Sequence, residues 1–201
     1  MNTIKLKGEV LNTPIYSHDV PNEKMYTFKI ACKRTSGVAD TLNCQIPELF
    51  IKDVEKGKTI SIEGEIRTRN VAVEGSDKVR LELYMFIMNE PIVCEKEEPH
   101  VNNVFVDGVI CKNTQCRTTL LGRDITDFLV ASNRKYGKSD YIPCLAWGRN
   151  AHIVQNYQIG TRVELKGRLQ SREYTKKINE NESENRVTYE MSVLAIKVVE
   201  E

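Results

Sequence analysis

The sequence predicts an all-β protein made of two tandem five-stranded barrels, and three observations lead to this fold class. First, the chain repeats itself: residues 26–34 align with residues 126–134 at an offset of 100, and residues 57–69 align with residues 160–172 at an offset of 103. Second, apolar side chains occupy every second position of the aligned segments, which is the period of a strand with one buried face. Third, each half has one short helical segment between its third and fourth strands.

The fourth strand of each half is the clearest. Val163 and Leu165 begin an alternation of apolar with charged or polar residues, and residues 60–66 show the same alternation. A glycine stands near the middle of each strand, at Gly64 and Gly167. Glycine inside a strand predicts a bulge or a sharp bend, as in a small closed barrel.

The remaining elements complete the two barrels. The other predicted strands are 3–12, 24–34, 42–46 and 79–88 in the first half, and 103–112, 125–134, 141–147 and 186–198 in the second. A helix is predicted over residues 150–157, with a weaker counterpart at 49–55. Five strands with a helix between the third and fourth follow the order of the OB fold. The charged, proline-bearing segment 95–100 is typical of a domain boundary, so we expect domains at 1–98 and 99–201.

Composition narrows the functional class. The chain has 201 residues, 40% hydrophobic and 28% charged, which is too apolar for a fully disordered protein. No apolar stretch approaches the length of a membrane span or a signal peptide, so we expect a cytoplasmic protein with no membrane partner. The six cysteines include no CxxC pair. They are expected to remain thiols, with Cys32, Cys44 and Cys144 as small core residues.

No arrangement of residues predicts catalysis or a cofactor. The three histidines lie far apart in sequence, no His/Cys set has zinc spacing, and no phosphate-binding loop is present. The alternative is a metal-dependent nuclease built on Asp107, Asp124, Asp127 and Asp140. Three of these lie at predicted strand ends or turns, where aspartate is favoured for backbone reasons. We therefore predict a non-enzyme with no catalytic residue, no metal and no cofactor.

Several spaced motifs of the second half resemble one known family. Residues 128–134, 141–151 and 163–174, in that order, are similar to the bacterial single-stranded DNA-binding protein family. The resemblance implies an OB fold, binding to single-stranded DNA without sequence preference, and a nucleoid-associated role in DNA replication, recombination or repair. Through residues 43–47 the first half faintly resembles primosomal replication protein N, which also has an OB fold.

The family assembles four OB folds, so two per chain imply a homodimer. Its members usually end in an acidic, phenylalanine-terminated tip that recruits replication proteins. The present chain stops at residues 196–201 without such a tip. If replication proteins bind this protein, we therefore expect them to bind a surface other than such a tip.

In the family, DNA bases stack on aromatic side chains. When those positions are carried over to this sequence, they fall on four aromatic residues of the second half. Stacking ignores base identity, because every base has a π face. A core role is the alternative, most seriously for the tryptophan, which ends a strand of mixed apolar residues. The predicted stacking residues are Tyr136, Tyr141, Trp147 and Tyr174. The aligned first-half positions hold Ser36, Thr41, Pro47 and Val71, none of which can stack a base.

Charge separates the two halves in the same way. Residues 1–98 hold 14 basic and 16 acidic residues, whereas residues 101–177 hold 13 basic and 6 acidic ones. A basic face that follows a phosphate backbone is the electrostatic part of single-strand binding, and a merely solvated strand face is the alternative. The predicted backbone contacts are Arg134, Lys135, Lys138, Arg149, Arg162, Lys166, Arg168, Arg172, Lys176 and Lys177.

Two functional hypotheses therefore remain beside the nuclease. In the first, the second barrel binds single-stranded DNA, and the first is a degenerate OB fold that serves as scaffold, dimerisation module or weak binding site. In the alternative, the protein is a primosome-like adaptor whose OB folds mainly bind other proteins.

Overall fold

The first half of the chain closes into a barrel of five antiparallel and parallel strands. In this computed structural model, which describes residues 1–72, 77, 79–177 and 183–199, the strands pair in the order β3-β4-β6-β5-β1, and β1 returns to β3 to close the barrel. A 3₁₀ helix, Glu48–Asp53, follows β4. The barrel strands are β1 (Asn2–Val10), β3 (Glu23–Lys33), β4 (Ala39–Pro47), β5 (Thr59–Ala72) and β6 (Val79–Ile87).

The second half repeats this barrel. Helix α1, Arg149–Val154, takes the place of the 3₁₀ helix, and β8 pairs with β10 to close the ring. β11 runs parallel to β13, as β4 does to β6. The strands are β8 (Val101–Ile110), β10 (Asp124–Asn133), β11 (Ser139–Trp147), β12 (Arg162–Lys177) and β13 (Ser183–Val198). The predicted pair of OB folds is confirmed.

Three short strands lie outside the predictions. β2 (Ile15–Val20) and β9 (Gln115–Thr118) extend the edges of the barrels, and β7 (Ile92–Cys94) pairs with β5. β2 and β9 have no buried residue, so their sequences lack the alternation that marks a half-buried strand. The strands with a buried face were therefore predictable and the exposed ones were not.

The glycines of the fourth strands mark the points where two strands cross closely. A Cβ atom at Gly167 would lie 2.2 Å from the carbonyl oxygen of Ser192, and one at Gly64 would lie 1.9 Å from that of Phe86. Pairing between β12 and β13 shifts register between Lys166 and Gly167, which is the bulge predicted there. Glycine is required at both positions because a side chain would force the strands of the barrel apart.

The two halves share one continuous sheet. β1 pairs antiparallel with β8, and Ile4 lies opposite Val104. These two residues occupy the same position in the two repeats, which align at an offset of 100. The pairing is therefore symmetric about this point, and the two barrels are related by an approximate two-fold axis. No helix of the described part of the chain is long and apolar enough to cross a membrane.

Candidate nucleic-acid interface

The outer face of β11 presents two of the predicted stacking residues. Tyr141 lies opposite Ala131 of β10 and Trp147 lies opposite Ile125. Their side chains are 46% and 38% exposed, whereas the residues of alternate parity on β11 are buried in the barrel. Since side chains two residues apart share a face of a strand, both aromatic rings lie on the same side of the sheet.

Tyr136 occupies the tip of the β10–β11 hairpin in an unusual backbone conformation. Its φ is +74° and that of Gly137 is +76°, while the N–H of Arg134 donates to the carbonyl of Lys138 at 2.7 Å. A positive φ is uncommon for a bulky residue and costs of the order of 1–3 kcal/mol. The ring is 99% exposed and stands between the exposed Lys135 and Lys138. The turn therefore holds an aromatic ring fully in solvent among positive charges.

Tyr174 lies on β12 opposite Arg186 of β13, and its side chain is 39% exposed. Together with Pro143 of β11 it lines a groove of about 500 Å³. The opposite wall of this groove is β6 of the first half, including Leu81 and Leu83. The structure thus connects Tyr174 to the same strand, β11, that carries Tyr141 and Trp147.

Some of the lysine and arginine residues predicted to contact the DNA backbone are exposed, and others form ion pairs within the protein. Lys135, Lys138 and Arg149 are exposed. Arg134 instead reaches inward, where its Nε donates to the Asp140 carboxylate at 2.7 Å. Arg134 is thus committed to a buried ion pair, and whether it also contacts a phosphate stays a prediction.

The cations of β12 are spread along the strand. Arg162 donates to the Asp107 carboxylate from Nε and from Nη2, at 3.1 and 3.0 Å, which lowers the pKa of Asp107. Arg172 lies 3.5 Å from Glu190. Lys166 lines a different groove, over the β1–β8 pairing. The last two predicted contacts, Lys176 and Lys177, end β12, and their side chains lie outside the described part of the structure.

A first-half residue that the sequence did not single out binds the backbone of β11 beside Tyr141. The Oγ1 of Thr68 accepts a hydrogen bond from the N–H of Tyr141 at 2.9 Å, and the N–H of Thr68 donates to Asp140 at 2.6 Å. The repeat offered a signal: Thr68 aligns with Ser171, another hydroxyl residue, whose Oγ accepts from the N–H of Thr41 at 3.0 Å. The backbone of Tyr141 is therefore positioned by the other barrel.

The first half also carries aromatic residues, but not at the positions that align with the predicted stacking residues. The rings of Tyr16 and Tyr26 meet edge to face at 6.0 Å on the β2–β3 hairpin. The guanidinium of Arg69 lies over the ring of Tyr84 at 5.4 Å, beside a groove of about 540 Å³. Of the aligned positions, Pro47 is buried. The sequence alignment alone did not reveal these tyrosines.

The four aspartates of the nuclease alternative are each held by another side chain. Asp107 is held by Arg162 and Asp140 by Arg134. Arg117 donates to Asp127 at 2.8 Å, and the hydroxyl of Thr118 donates to Asp124 at 2.7 Å. Within the residues that the structure describes, no three His, Cys, Asp or Glu side chains form a group that could hold a metal ion.

The second half of the chain is similar in sequence to known proteins. Residues 101–196 match the Single-strand binding protein family. The Single-stranded DNA-binding protein of Enterococcus faecalis (strain ATCC 700802 / V583) is 32% identical over 81 residues, which cover 37% of this chain and 43% of that protein. Single-stranded DNA-binding protein 1 of Staphylococcus aureus (strain COL) is 35% identical over 81 residues, covering 37% and 48%. The chain thus spans about half the length of these relatives.

Solved structures extend the likeness in fold to the whole chain. The wild-type single-stranded DNA binding protein from Thermus aquaticus covers 100% of this chain and 94% of its own, with 17% identity and a TM-score of 0.78. The N-terminal domain of PriB protein from Thermoanaerobacter tencongensis covers 47% of this chain with 27% identity, at a TM-score of 0.40, too low to define a shared fold.

The fold, the motifs and the relatives agree on the second barrel. The resemblance predicted from the sequence is confirmed, and the family is one of DNA-binding proteins that are not enzymes. Residues 101–196, the second of two joined OB folds, therefore match the Single-strand binding protein family in sequence.

Proposed function

We propose that the protein binds single-stranded DNA without sequence preference, in DNA replication, recombination or repair. Bases stack on Tyr136, Tyr141, Trp147 and Tyr174, and lysine and arginine side chains contact the phosphates. The observation that carries this proposal is Tyr136: a strained, fully exposed ring between two lysines has no structural use in the barrel. Strain of this kind persists where function requires it.

The charges of the second half support this assignment. Residues 101–177 carry seven more basic than acidic side chains, and the exposed Lys135, Lys138 and Arg149 flank Tyr136 and Trp147. Neutralising phosphates releases counterions, which supplies affinity that does not depend on sequence. Stacking then adds about 1–3 kcal/mol for each base.

The first barrel acts mainly as scaffold in this proposal. It supplies the Thr68 hydroxyl that holds the N–H of Tyr141 and one wall of the groove beside Tyr174. The proposed boundary between the two domains is segment 95–100, the connection from β7 to β8.

We further propose that two chains form a homodimer through the junction groove, a groove of about 770 Å³ over the β1–β8 pairing. It lies on the approximate two-fold axis, and its apolar rim comes from equivalent places of both halves: Met88 after β6 and Leu194 in β13, 50% and 66% exposed. Glu63 and Lys166, aligned at the offset of 103, have opposite charges. A second copy turned by 180° would set these charges against each other, the self-complementarity that a two-fold dimer needs.

Trp147 fluorescence during titration with poly(dT) tests the DNA proposal. Trp147 is the only tryptophan of the chain, and its ring is 38% exposed, so a stacked base should quench it. We expect quenching that saturates, weakens with salt, and is similar for poly(dT) and mixed-sequence oligonucleotides. Duplex DNA serves as the control, because its bases are not available for stacking. Absent quenching and absent binding in a filter assay would contradict the proposal and favour the adaptor hypothesis.

A further inference from the structure

Two equivalent buried carboxylates connect the barrels. Asp40 and Asp140 are both fully buried, and each lies in an ion pair with an arginine of its own half, Arg34 or Arg134. Each also accepts a backbone N–H from the other half: Asp40 from Ser171 at 3.0 Å, and Asp140 from Thr68 as described above. The approximate two-fold axis therefore produces two polar clusters of the same design.

The two clusters differ in charge. Around Asp140, Arg67 donates from Nη1 to the carboxylate at 3.2 Å and forms a second ion pair with Glu65. Two arginines therefore face two carboxylates there, and the charges cancel. Around Asp40, the position aligned with Glu65 holds Arg168, and the position aligned with Arg67 holds a neutral residue, Gln170.

The Asp40 cluster consequently has one positive charge too many. Glu190 does not pair with Arg168: it accepts a hydrogen bond from Gln170 at 2.8 Å and lies 3.5 Å from Arg172. Arg168 Nε is buried and has no hydrogen-bond partner within the described ranges. Burial and the nearby Arg34 both lower the pKa of Arg168, against the opposing effect of Asp40. A buried donor of a charged group without a partner is costly, and an anion would remove that cost.

We propose that Arg34 and Arg168 form a phosphate-binding site between the two barrels, and that a backbone phosphate of the bound strand occupies it. The inference rests on the proposed function for its occupant. Guanidinium groups match phosphate in geometry and charge, and the spherical chloride ion offers no such match, so phosphate is the anion that this pair of arginines favours. Arg168 lies on the same face of β12 as Arg172 and Tyr174, so the site continues the proposed DNA path.

The variant Arg168→Gln tests the site in the full-length protein. In chloride buffer we expect its thermal midpoint to equal or exceed that of the wild type, because the variant loses an uncompensated charge. Inorganic phosphate at constant ionic strength should raise the midpoint of the wild type and leave that of Arg168→Gln unchanged. Arg172→Gln is the matched control on the same strand: it should retain the phosphate effect, because Arg172 lies beside Glu190 outside the cluster.

Titration with oligo(dT) separates DNA phosphate from free phosphate. We expect Arg168→Gln to weaken binding by about tenfold and to lower the salt slope by about 0.7, the value for one lost phosphate contact. Arg168→Lys should restore part of the salt slope, because it restores the charge. A destabilised Arg168→Gln with unchanged affinity and slope would overturn the site and make Arg168 a structural residue. Phosphate stabilisation without any change in oligo(dT) binding would overturn its occupation by DNA. Failure of the wild type to bind oligo(dT) would instead overturn the proposed function.

Discussion

The backbone conformation of Tyr136 lowers the stability of the protein, and its exposed ring serves the proposed binding to DNA. Tyr136 sits at φ +74°, where asparagine is far better tolerated than an aromatic residue. We expect Tyr136→Asn to leave the free energy of unfolding unchanged or to raise it by about 1 kcal/mol, and to weaken single-strand binding by about 1–3 kcal/mol. Urea denaturation and oligo(dT) titration measure the two effects. Tyr136→Phe is the control that keeps the ring, and equal loss of affinity in both variants would contradict stacking.

Trp147 and Tyr174 allow a second test of stacking at the level of the residue. Tyr174→Ala should weaken oligo(dT) binding by roughly 1–3 kcal/mol. Because the side chain is only 39% exposed, urea denaturation must measure the accompanying loss of packing. Trp147→Phe retains a ring and should retain most of the affinity. Trp147→Ala removes it, and circular dichroism must show that the barrel is intact. If Tyr136→Ala and Tyr174→Ala together change neither affinity nor fold, the stacking proposal fails.

The buried thiols predict a dependence of stability on pH. Burial raises the pKa of Cys32 to about 12, and raises that of Cys44 and Cys144 well above the ordinary value of 9.0. In the folded state these thiols keep their protons above pH 9, whereas in the unfolded chain they ionise. Each therefore contributes stability that is complete below pH 9 and declines above it by about 1.4 kcal/mol per pH unit.

Urea midpoints at pH 8 and pH 10 measure this decline. Cys44→Ala should be less stable than the wild type at pH 8, because it leaves a cavity, and should lose less stability between the two pH values. A loss of the same size in both proteins would show that other groups cause the decline. The exposed Cys116 offers the control: Cys116→Ala should behave like the wild type at both pH values.

The sequence predicted the exposure of the aromatic residues better than the directions of the arginine side chains. Aromatic residues among charged neighbours, such as Tyr136 and Tyr174, could be placed at the surface by pattern alone, and they are exposed. The direction of a long arginine side chain is set by its tertiary partners, which no strand alternation reveals. Arg134 turns inward to Asp140, and the contact of Thr68 with Tyr141 joins residues 73 positions apart.

At the scale of the element, β12 depends on its glycine. A methyl group at position 167 would meet the carbonyl oxygen of Ser192 at 2.2 Å, and a backbone atom cannot move aside without opening the β12–β13 pairing. Gly167→Ala should therefore destabilise the protein by at least the 1–3 kcal/mol typical of overpacking. Thermal unfolding measures this loss. Glu164→Ala, on the same strand and without such a contact, should change stability little.

Whether a strand buries one of its faces determines whether the sequence could predict it. Strands with one buried face, such as β11 and β12, can be predicted from the alternation of apolar and polar residues. The predicted strand 141–147 lies within β11, and the alternation that begins at Val163 lies within β12. β2 and β9 are hairpin partners that bury nothing, and only their pairing with β3 and β10 makes them strands. The bulge opposite Gly167 was predictable because glycine inside a strand has few other uses.

At the scale of the whole molecule, the junction groove predicts a dimer near twice the 23.0 kDa chain mass. Leu194→Glu places a charge on the apolar rim of that groove and should yield a monomer in light scattering at micromolar concentration. Leu121→Glu is the control, because Leu121 is 85% exposed at the β9–β10 turn, away from the groove. A wild-type monomer, or dissociation by both variants alike, would contradict the proposed interface.

The pairing of β1 with β8 has a consequence for how the chain is made. β1 leaves the ribosome before β8, its partner along one edge, which is synthesised about a hundred residues later. At about 5–20 residues per second this interval lasts roughly 5–20 s. During that time the outer edge of β1 has no partner strand from its own chain, and an open strand edge can pair with the β1 of a neighbouring nascent chain. When β8 is made, it pairs with this edge of β1 and closes it. We therefore expect closely spaced ribosomes on one messenger RNA to favour pairing between the β1 strands of two chains, and widely spaced ribosomes to favour pairing of β1 with β8 of the same chain.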